Sequence, residues 1–140
     1  MTLLRMYALT AIVLTLKMSA VSVVQGRARV AAGVFVNPED ARTFQASHGP
    51  EDAPDVRRAS RAWLNDRENI PILLILCGIY VAADLSTTAF AIYCLVFMAA
   101  RIAHTIFYLN SIQPMRTIAF TVGAVASMAL MIHLFIGVVL

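Results

Sequence analysis

The chain reads TTAFAIYCLVFMAARIAHTIFYL from residue 87 to residue 109, and this apolar run determines its architecture. As a helix it is long enough to cross a bilayer, which takes about 20 residues. Arg101, His104, Thr105 and Tyr108 follow one another at helical spacing, so they share one face. An ionisable side chain at membrane depth costs at least about 2.5 kcal/mol and normally faces a partner, a cavity or a ligand. We therefore expect an integral membrane protein with a polar site between its helices.

The composition supports a membrane protein. The 140 residues are 60% hydrophobic and 14% charged, whereas a soluble domain has about 45–50% apolar and about 25% charged residues. Between residues 25 and 69, seven arginines are balanced by seven acids, so the net charge of +3 comes from side chains in or beside apolar segments. A solvated basic surface for nucleic acid is therefore not expected. The scattered histidines and two cysteines do not have metal-site spacing.

Four apolar segments predict four membrane spans in a single domain covering residues 1–140. Short connections after the second and third segments favour an antiparallel bundle of four helices, an all-α fold. The longest polar stretch, residues 25–61, is rich in arginine and is expected to form a loop on the cytoplasmic side, with both termini on the other side. The predicted spans are residues 3–24, 62–83, 87–109 and 117–140.

Several features of the apolar segments leave alternatives open. The first segment also resembles a signal peptide, but Lys17 interrupts it and Arg27 and Arg29 follow it, which favours an uncleaved span. Lys17 either extends to the membrane interface or has a partner inside the bundle. Cys77 and Cys94 are more typical of packed thiols than of a reactive pair.

A second polar face precedes the second span. Arg61, Asn65 and Glu68 share one side of a helix, either as a solvated helix end or as part of a ligand pocket. In the second case they would join residues predicted at the same membrane level, namely Arg101, His104, Tyr108 and Arg116.

The chemistry of such a pocket suggests a class of ligand. Guanidinium groups bind carboxylates, Glu68 can hold an ammonium group, and Arg116 at a helix N-terminus favours a thiolate over a thiol. A ligand with two carboxylates, one amine and one thiol matches glutathione. Arginines also bind phospholipid head groups, and intramembrane charges also occur in transporters.

Four sequence strings resemble the MAPEG family, the membrane-associated proteins of eicosanoid and glutathione metabolism, and especially its prostaglandin E synthase and microsomal glutathione S-transferase branch. The strings are NPEDA at residues 37–41, RAxxNxxExxP at residues 61–71, RIAHTxxYL at residues 101–109 and PxR at residues 114–116. The resemblance covers nearly the whole chain. It implies a homotrimer that binds glutathione between subunits near the cytoplasmic face.

The resemblance also implies roles for individual residues. Three residues are expected to be catalytic. Arg116 would stabilise the thiolate, Thr117 keeps a hydroxyl where the prostaglandin E synthase branch has a serine, and Asp40 matches an acid near that arginine that would orient it or relay a proton. The expected glutathione-binding residues are Arg29, Arg61, Asn65, Glu68, Arg101, His104, Tyr108 and Arg116.

The chain differs from this branch at three places. Leu64 stands where the branch carries another arginine, Phe120 replaces a tyrosine, and the connection from Tyr108 to Arg116 is one residue shorter. These differences leave the glutathione site in place and weaken the case for prostaglandin specificity.

The expected function is a membrane transferase that presents glutathione as a thiolate to a lipophilic electrophile from the bilayer. Attack on carbon would give conjugation, and attack on a peroxide would give reduction or isomerisation. The alternatives are a non-catalytic, lipid-binding regulatory membrane protein and a small transporter. We expect a bacterial inner membrane location, with the endoplasmic reticulum as the alternative and the active site facing the cytoplasm.

Overall fold

The computed structural model describes residues 1–140, of which 81% are helical. Four long helices account for most of the chain, and a short helix with two short parallel strands lies between the first two of them. The elements are α1 (Leu3–Ala32), β1 (Val34–Phe35), α2 (Pro38–Thr43), β2 (Ser47–His48), α3 (Pro54–Ala82), α4 (Thr87–Leu109) and α5 (Met115–Val139).

Helix α1 begins and ends at clear capping residues. The Thr2 side chain accepts a hydrogen bond from the Arg5 amide at 3.4 Å. At the other end, Gly33 adopts a left-handed conformation with φ 62° and donates its amide to the carbonyls of Arg29 and Val30. The helix therefore continues past the predicted span 3–24. The predicted connection, residues 25–61, therefore contains the last turns of α1, the short strands, α2 and the first turns of α3.

The connection between α1 and α3 is compact. Pro38 at the start of α2 follows Asn37, whose side-chain amide donates to the Asp40 carboxylate at 3.0 Å. The rings of Phe35 and Phe44 stack at 5.1 Å between their centroids. This packing holds α2 against β1, close to the end of α1.

Three of the long helices, α1, α4 and α5, are long and apolar enough to cross a membrane. The predicted span 62–83 corresponds to the later part of α3 and its C-cap, Ala83. The first half of α3 carries many charged residues, and α3 is not among these three helices. Pro71 lies inside α3, and the helix continues past it to Ala82.

The long helices pack mainly in pairs, α4 on α5 and α1 on α3, with further contacts that join the two pairs. The core between them is apolar and aromatic, and its most deeply buried members include Leu14, Leu73, Tyr80, Phe90 and Leu130. Many large apolar side chains point outward instead, among them Leu16, Ile75, Leu95 and Val125. Outward apolar side chains on long helices are typical of a surface that faces lipid or another subunit.

Candidate functional site

A network of charged side chains lies buried where α1, α3 and α4 meet. Asp66 of α3 is 0% exposed, and Arg101 of α4 is 1% exposed. The Arg101 Nη2 atom donates to Asp66 Oδ1 at 2.8 Å, and Lys17 of α1 donates to the other carboxylate oxygen. Arg101 Nη2 also donates to the Asn65 side-chain oxygen. We call Lys17, Asn65, Asp66 and Arg101 the buried network.

The buried network shows which of the two alternatives for Lys17 is correct, extension to the membrane interface or a partner inside the bundle. Lys17 has its partner inside the protein, because it bonds to Asp66. Arg101 pairs with Asp66, while Glu68 is exposed and forms no ion pair. Two cations around one carboxylate leave an excess of one positive charge at the centre of the protein.

His104 links this network to the end of the helices. It is 3% exposed, and its ring lies 5.5 Å from the Tyr108 ring and 5.9 Å from the Phe120 ring. The Arg116 guanidinium lies over the Tyr108 ring at 4.7 Å, a cation–π distance. Three buried polar atoms near this path have no hydrogen-bond partner, namely Arg101 Nε, His104 Nδ1 and Thr105 Oγ1.

A basic cavity of about 270 Å³ opens beside Tyr108. We call it the basic cavity, and it is lined by Pro54, Arg57, Arg58, Arg61, Tyr108 and Arg116. The fold thus brings together three residues that the sequence predicted for the site, Arg61, Tyr108 and Arg116. The prediction missed Arg57 and Arg58, although they lie one helical turn before Arg61.

The charge of the basic cavity is largely unbalanced. Arg57 pairs with exposed Glu51. None of the three other arginines pairs with a carboxylate: Arg58, Arg61 and Arg116. Unpaired guanidinium groups in one concave site favour an anionic ligand, above all one with carboxylates.

Arg116 is held in position by Gln113, which lies just before α5. With the Gln113 amide turned so that its oxygen faces the guanidinium, that oxygen accepts from Arg116 Nη2 at 2.6 Å and Nε at 3.0 Å. The amide nitrogen then donates to Thr117 Oγ1 at 3.1 Å. Arg116 lies in the first turn of α5, where the helix dipole adds to its positive charge. Gln113 is a third residue that the sequence prediction missed.

Two predicted site residues lie elsewhere in the chain. Arg29 and Asp40 line a separate cavity of about 280 Å³ between the end of α1 and α2, which we call the loop cavity. Arg29 Nε and Nη2 donate to the two carboxylate oxygens of Asp52, each at 3.3 Å. Neither Arg29 nor Asp40 lines the basic cavity. The structure therefore separates Arg29 and Asp40 from the basic cavity, while Asn65 and Arg101 belong to the buried network.

An apolar groove of about 320 Å³ lies between α4 and α5, lined by residues that include Tyr93, Val96, Thr121 and Val125. Behind it lies His133, to which the sequence assigned no partner. The Tyr80 and Tyr93 hydroxyls lie 3.4 Å and 3.2 Å from its Nδ1 atom. Packing between α3, α4 and α5 therefore brings these three polar side chains together.

The comparison with protein families supports the family resemblance that the site residues suggested. The family model described as the MAPEG family matches residues 7–136, nearly the whole chain. This chain belongs to the MAPEG family. The match spans the four long helices and includes the buried network and both cavities. The three apolar helices and this membership make the chain an integral membrane protein.

Known MAPEG proteins resemble the chain over most of its length. It is 34% identical to prostaglandin E synthase of Homo sapiens over 129 residues, which cover 90% of this chain and 85% of that protein. It is 36% identical to prostaglandin E synthase of Equus caballus, with 90% and 84% covered. It is 38% identical over 120 residues to microsomal glutathione S-transferase 1 of Rattus norvegicus, with 81% and 76% covered.

Proposed function

We propose that this protein is a glutathione-dependent membrane enzyme that binds glutathione in the basic cavity and activates its thiol as a thiolate. The observation that carries the proposal is the set of guanidinium groups without carboxylate partners, Arg58, Arg61 and Arg116, around one cavity. Glutathione brings two carboxylates, which match such groups in charge and geometry. The MAPEG relatives, one of them named as a glutathione S-transferase, support the same ligand.

In this proposal Arg116 is the catalytic residue. Its charge and the N-terminus of α5 both favour the thiolate over the thiol, so they lower the pKa of the glutathione thiol. Gln113 holds the guanidinium, and the Tyr108 ring beneath it limits its movement. The rate enhancement comes from electrostatic stabilisation and from holding the two reactants together.

The second substrate is a lipophilic electrophile that arrives from the bilayer. The thiolate attacks carbon to form a thioether and expel a leaving group, or attacks a peroxide oxygen. In the second case the O–O bond breaks, an alcohol is released, and a second glutathione converts the resulting sulfenic acid of glutathione to the disulfide and water. Isomerisation of an endoperoxide, the reaction type suggested by the prostaglandin E synthases, is a third outcome in which glutathione is regenerated as a cofactor.

The separation of Arg29 and Asp40 from the basic cavity is best explained by a homotrimer. We infer that the loop cavity of one subunit, with Arg29 and Asp40, faces the basic cavity of its neighbour. Asp40 would then lie near a neighbouring Arg116 and Thr117, and exposed Glu68 would complete the polar end of the ligand site. Large apolar side chains exposed on the helices supply surface for subunit contacts.

The proposed arrangement in the membrane follows from charge. The chain forms one domain, an antiparallel four-helix bundle in which the apolar half of α3 provides the fourth crossing. The arginine-rich connection and the basic cavity face the cytoplasm, and the termini lie on the opposite side. We propose a bacterial inner membrane location, with the endoplasmic reticulum as the alternative.

A second candidate function is supported by the apolar groove between α4 and α5. Its volume of about 320 Å³ and its apolar lining suit a bound lipid chain. A non-catalytic protein that binds lipid there would regulate a partner and would not consume glutathione.

An activity assay separates the two functions. Purified protein in detergent is incubated with glutathione and either 1-chloro-2,4-dinitrobenzene or cumene hydroperoxide, and loss of glutathione is measured. We expect turnover with at least one electrophile in the natural protein and its loss in Arg116→Ala. Arg5→Ala, an exposed arginine at the start of α1, is the matched control and should retain activity. Full activity in Arg116→Ala would contradict the proposal, and no turnover in any variant would favour the regulatory function.

A further inference from the structure

Two cysteines from neighbouring helices face each other inside the core. The Sγ atoms of Cys77 in α3 and Cys94 in α4 lie 4.0 Å apart, and both thiols are free. Cys77 is 0% exposed and Cys94 is 2% exposed. A disulfide has an S–S distance of about 2.05 Å, so the two sulfurs need to approach by about 2 Å to bond.

The two cysteines differ in their access to the surface. Cys94 lines a small cavity of about 100 Å³ between α1 and α4, whereas Cys77 lies behind it and does not line that cavity. Leu9 and Leu95 also line the cavity, and both side chains are largely exposed on the apolar outer surface. The cavity therefore opens at the apolar outer surface of the helices.

The lining of this cavity favours an apolar ligand. It contains the methionines Met1, Met6 and Met98 and no charged residue. Soft, polarisable thioethers and alkyl side chains suit a hydrocarbon group better than a hydrated anion. A lipophilic oxidant dissolved in the bilayer can thus reach the Cys94 sulfur without crossing water.

We propose that Cys94 is a site of oxidation by lipophilic hydroperoxides, and that Cys77 then closes a disulfide between α3 and α4. The Cys94 sulfur attacks the outer peroxide oxygen, an S–O bond forms, and the O–O bond breaks. The thiol proton passes to the leaving oxygen, which gives a sulfenic acid and an alcohol. The Cys77 sulfur then displaces this hydroxyl, and its thiol proton leaves with it as water.

The expected rate is slow. The cavity carries no cationic side chain, so the Cys94 sulfur lacks the neighbouring positive charge that activates most reactive thiols. The oxidation is therefore a stoichiometric modification of the protein and not a rapid peroxidase cycle. The oxidation does not require glutathione, so a negative result for it would not contradict the proposed function.

Mass spectrometry of the natural protein tests the proposal. Detergent-purified, reduced protein is incubated with cumene hydroperoxide in the absence of glutathione, and remaining thiols are blocked before the intact mass is measured. We expect each oxidised chain to lose two hydrogen atoms and to regain them with dithiothreitol. Hydrogen peroxide at equal concentration should act more slowly, because it does not concentrate in an apolar phase. Oxidation of methionines alone, with both thiols still free, would overturn the proposal.

Two nearly isosteric variants test the order of the steps. In Cys77→Ser the sulfenic acid on Cys94 has no resolving thiol and should be trapped by dimedone. In Cys94→Ser we expect Cys77 to remain unlabelled, since it has no access to the cavity. Thermal unfolding checks that each variant is folded, and the mass of the natural protein remains a test if either is not. Labelling of Cys77 in Cys94→Ser would contradict the assigned order.

Discussion

Arg101 and Arg116 lie toward opposite ends of the same aromatic pair, His104 and Tyr108, and each donates to a side-chain amide oxygen, yet they differ in burial and in carboxylate partners. Arg101 is almost fully buried and is held by the Asp66 carboxylate. Arg116 is partly exposed, has no carboxylate partner and lines a cavity. An arginine with a buried carboxylate partner therefore maintains the fold, whereas an arginine held only by an amide and a ring remains available to bind a ligand.

The two regions therefore respond differently to mutation. Removing one member of a buried ion pair leaves an uncompensated charge, which costs about 3–5 kcal/mol. Removing an arginine from an open cavity changes stability by about 0.5 kcal/mol or less, but it removes a binding or catalytic interaction. Stability and activity should thus be lost by separate sets of variants.

The largest expected effect on stability is that of Asp66→Ala. It leaves the charges of Lys17 and Arg101 buried without a counterion, so the free energy of unfolding should fall by about 3–5 kcal/mol. Denaturant unfolding in detergent measures the loss. The matched control is Glu68→Gln, an exposed acid on the same helix, which should unfold like the natural protein. Equal stability of Asp66→Ala would show that the buried network does not hold the helices together.

The largest expected effect on activity is that of Arg116→Ala. If this side chain stabilises the developing thiolate, its loss should lower kcat/KM by about 100-fold to 1,000-fold, the range for removal of one electrostatic stabiliser. Steady-state assays with glutathione and an electrophile measure the change. Its unfolding curve should match that of the natural protein, and a large loss of stability would remove the contrast with Arg101.

A smaller effect is expected for Arg58→Ala. The guanidinium lines the basic cavity without a carboxylate partner. A charged hydrogen bond is worth about 1.5–3 kcal/mol, so glutathione should bind at least about 10-fold more weakly. Isothermal titration measures the affinity. Arg67, which stacks on Trp63 outside the cavity, provides the control in Arg67→Ala, and an equal loss there would point to a general charge effect.

The smallest effect is expected for Gln113→Ala. Losing the amide that holds Arg116 removes a positioning contact worth about 0.5–1.5 kcal/mol, so kcat should fall by about 3-fold to 10-fold. Gln113→Glu keeps an acceptor and adds a charge that pairs with Arg116, so it should suppress thiolate formation more than Gln113→Ala does. The reverse order would show that Gln113 does not position this guanidinium.

Part of the fold was predictable from the sequence. The bounds of α4 agree with the predicted span 87–109, because apolar residues fill the whole helix and Ser86 begins it. The predicted spans 3–24 and 62–83 are shorter than the helices α1 and α3 that contain most of their residues, since hydropathy marks where a helix leaves the membrane and not where it ends. Charged turns at Arg27 and Arg29 remain helical up to Gly33, which stops α1.

The types of residue in the candidate site were predictable from the sequence, but their arrangement in space was not. The sequence left two acids, Asp66 and Glu68, as possible partners of Arg101. Asp66 falls at helical spacing on the buried face of α3 with Ala62, Ile70, Leu73 and Cys77. The exposed acid Glu68 is two residues further along, so the choice between them depended on the rotation of α3 against α4. The separation of Asp40 from Arg116 depended on the packing of the connection, which no local pattern specifies.

The most direct test of the account is the ultraviolet difference absorbance of the glutathione thiolate during titration of detergent-purified protein, with Arg116→Ala measured beside it. We expect a saturable thiolate signal in the natural protein and no signal in Arg116→Ala, although the variant folds normally. A thiolate signal of equal size in both proteins would contradict the assignment of Arg116 as the activating residue.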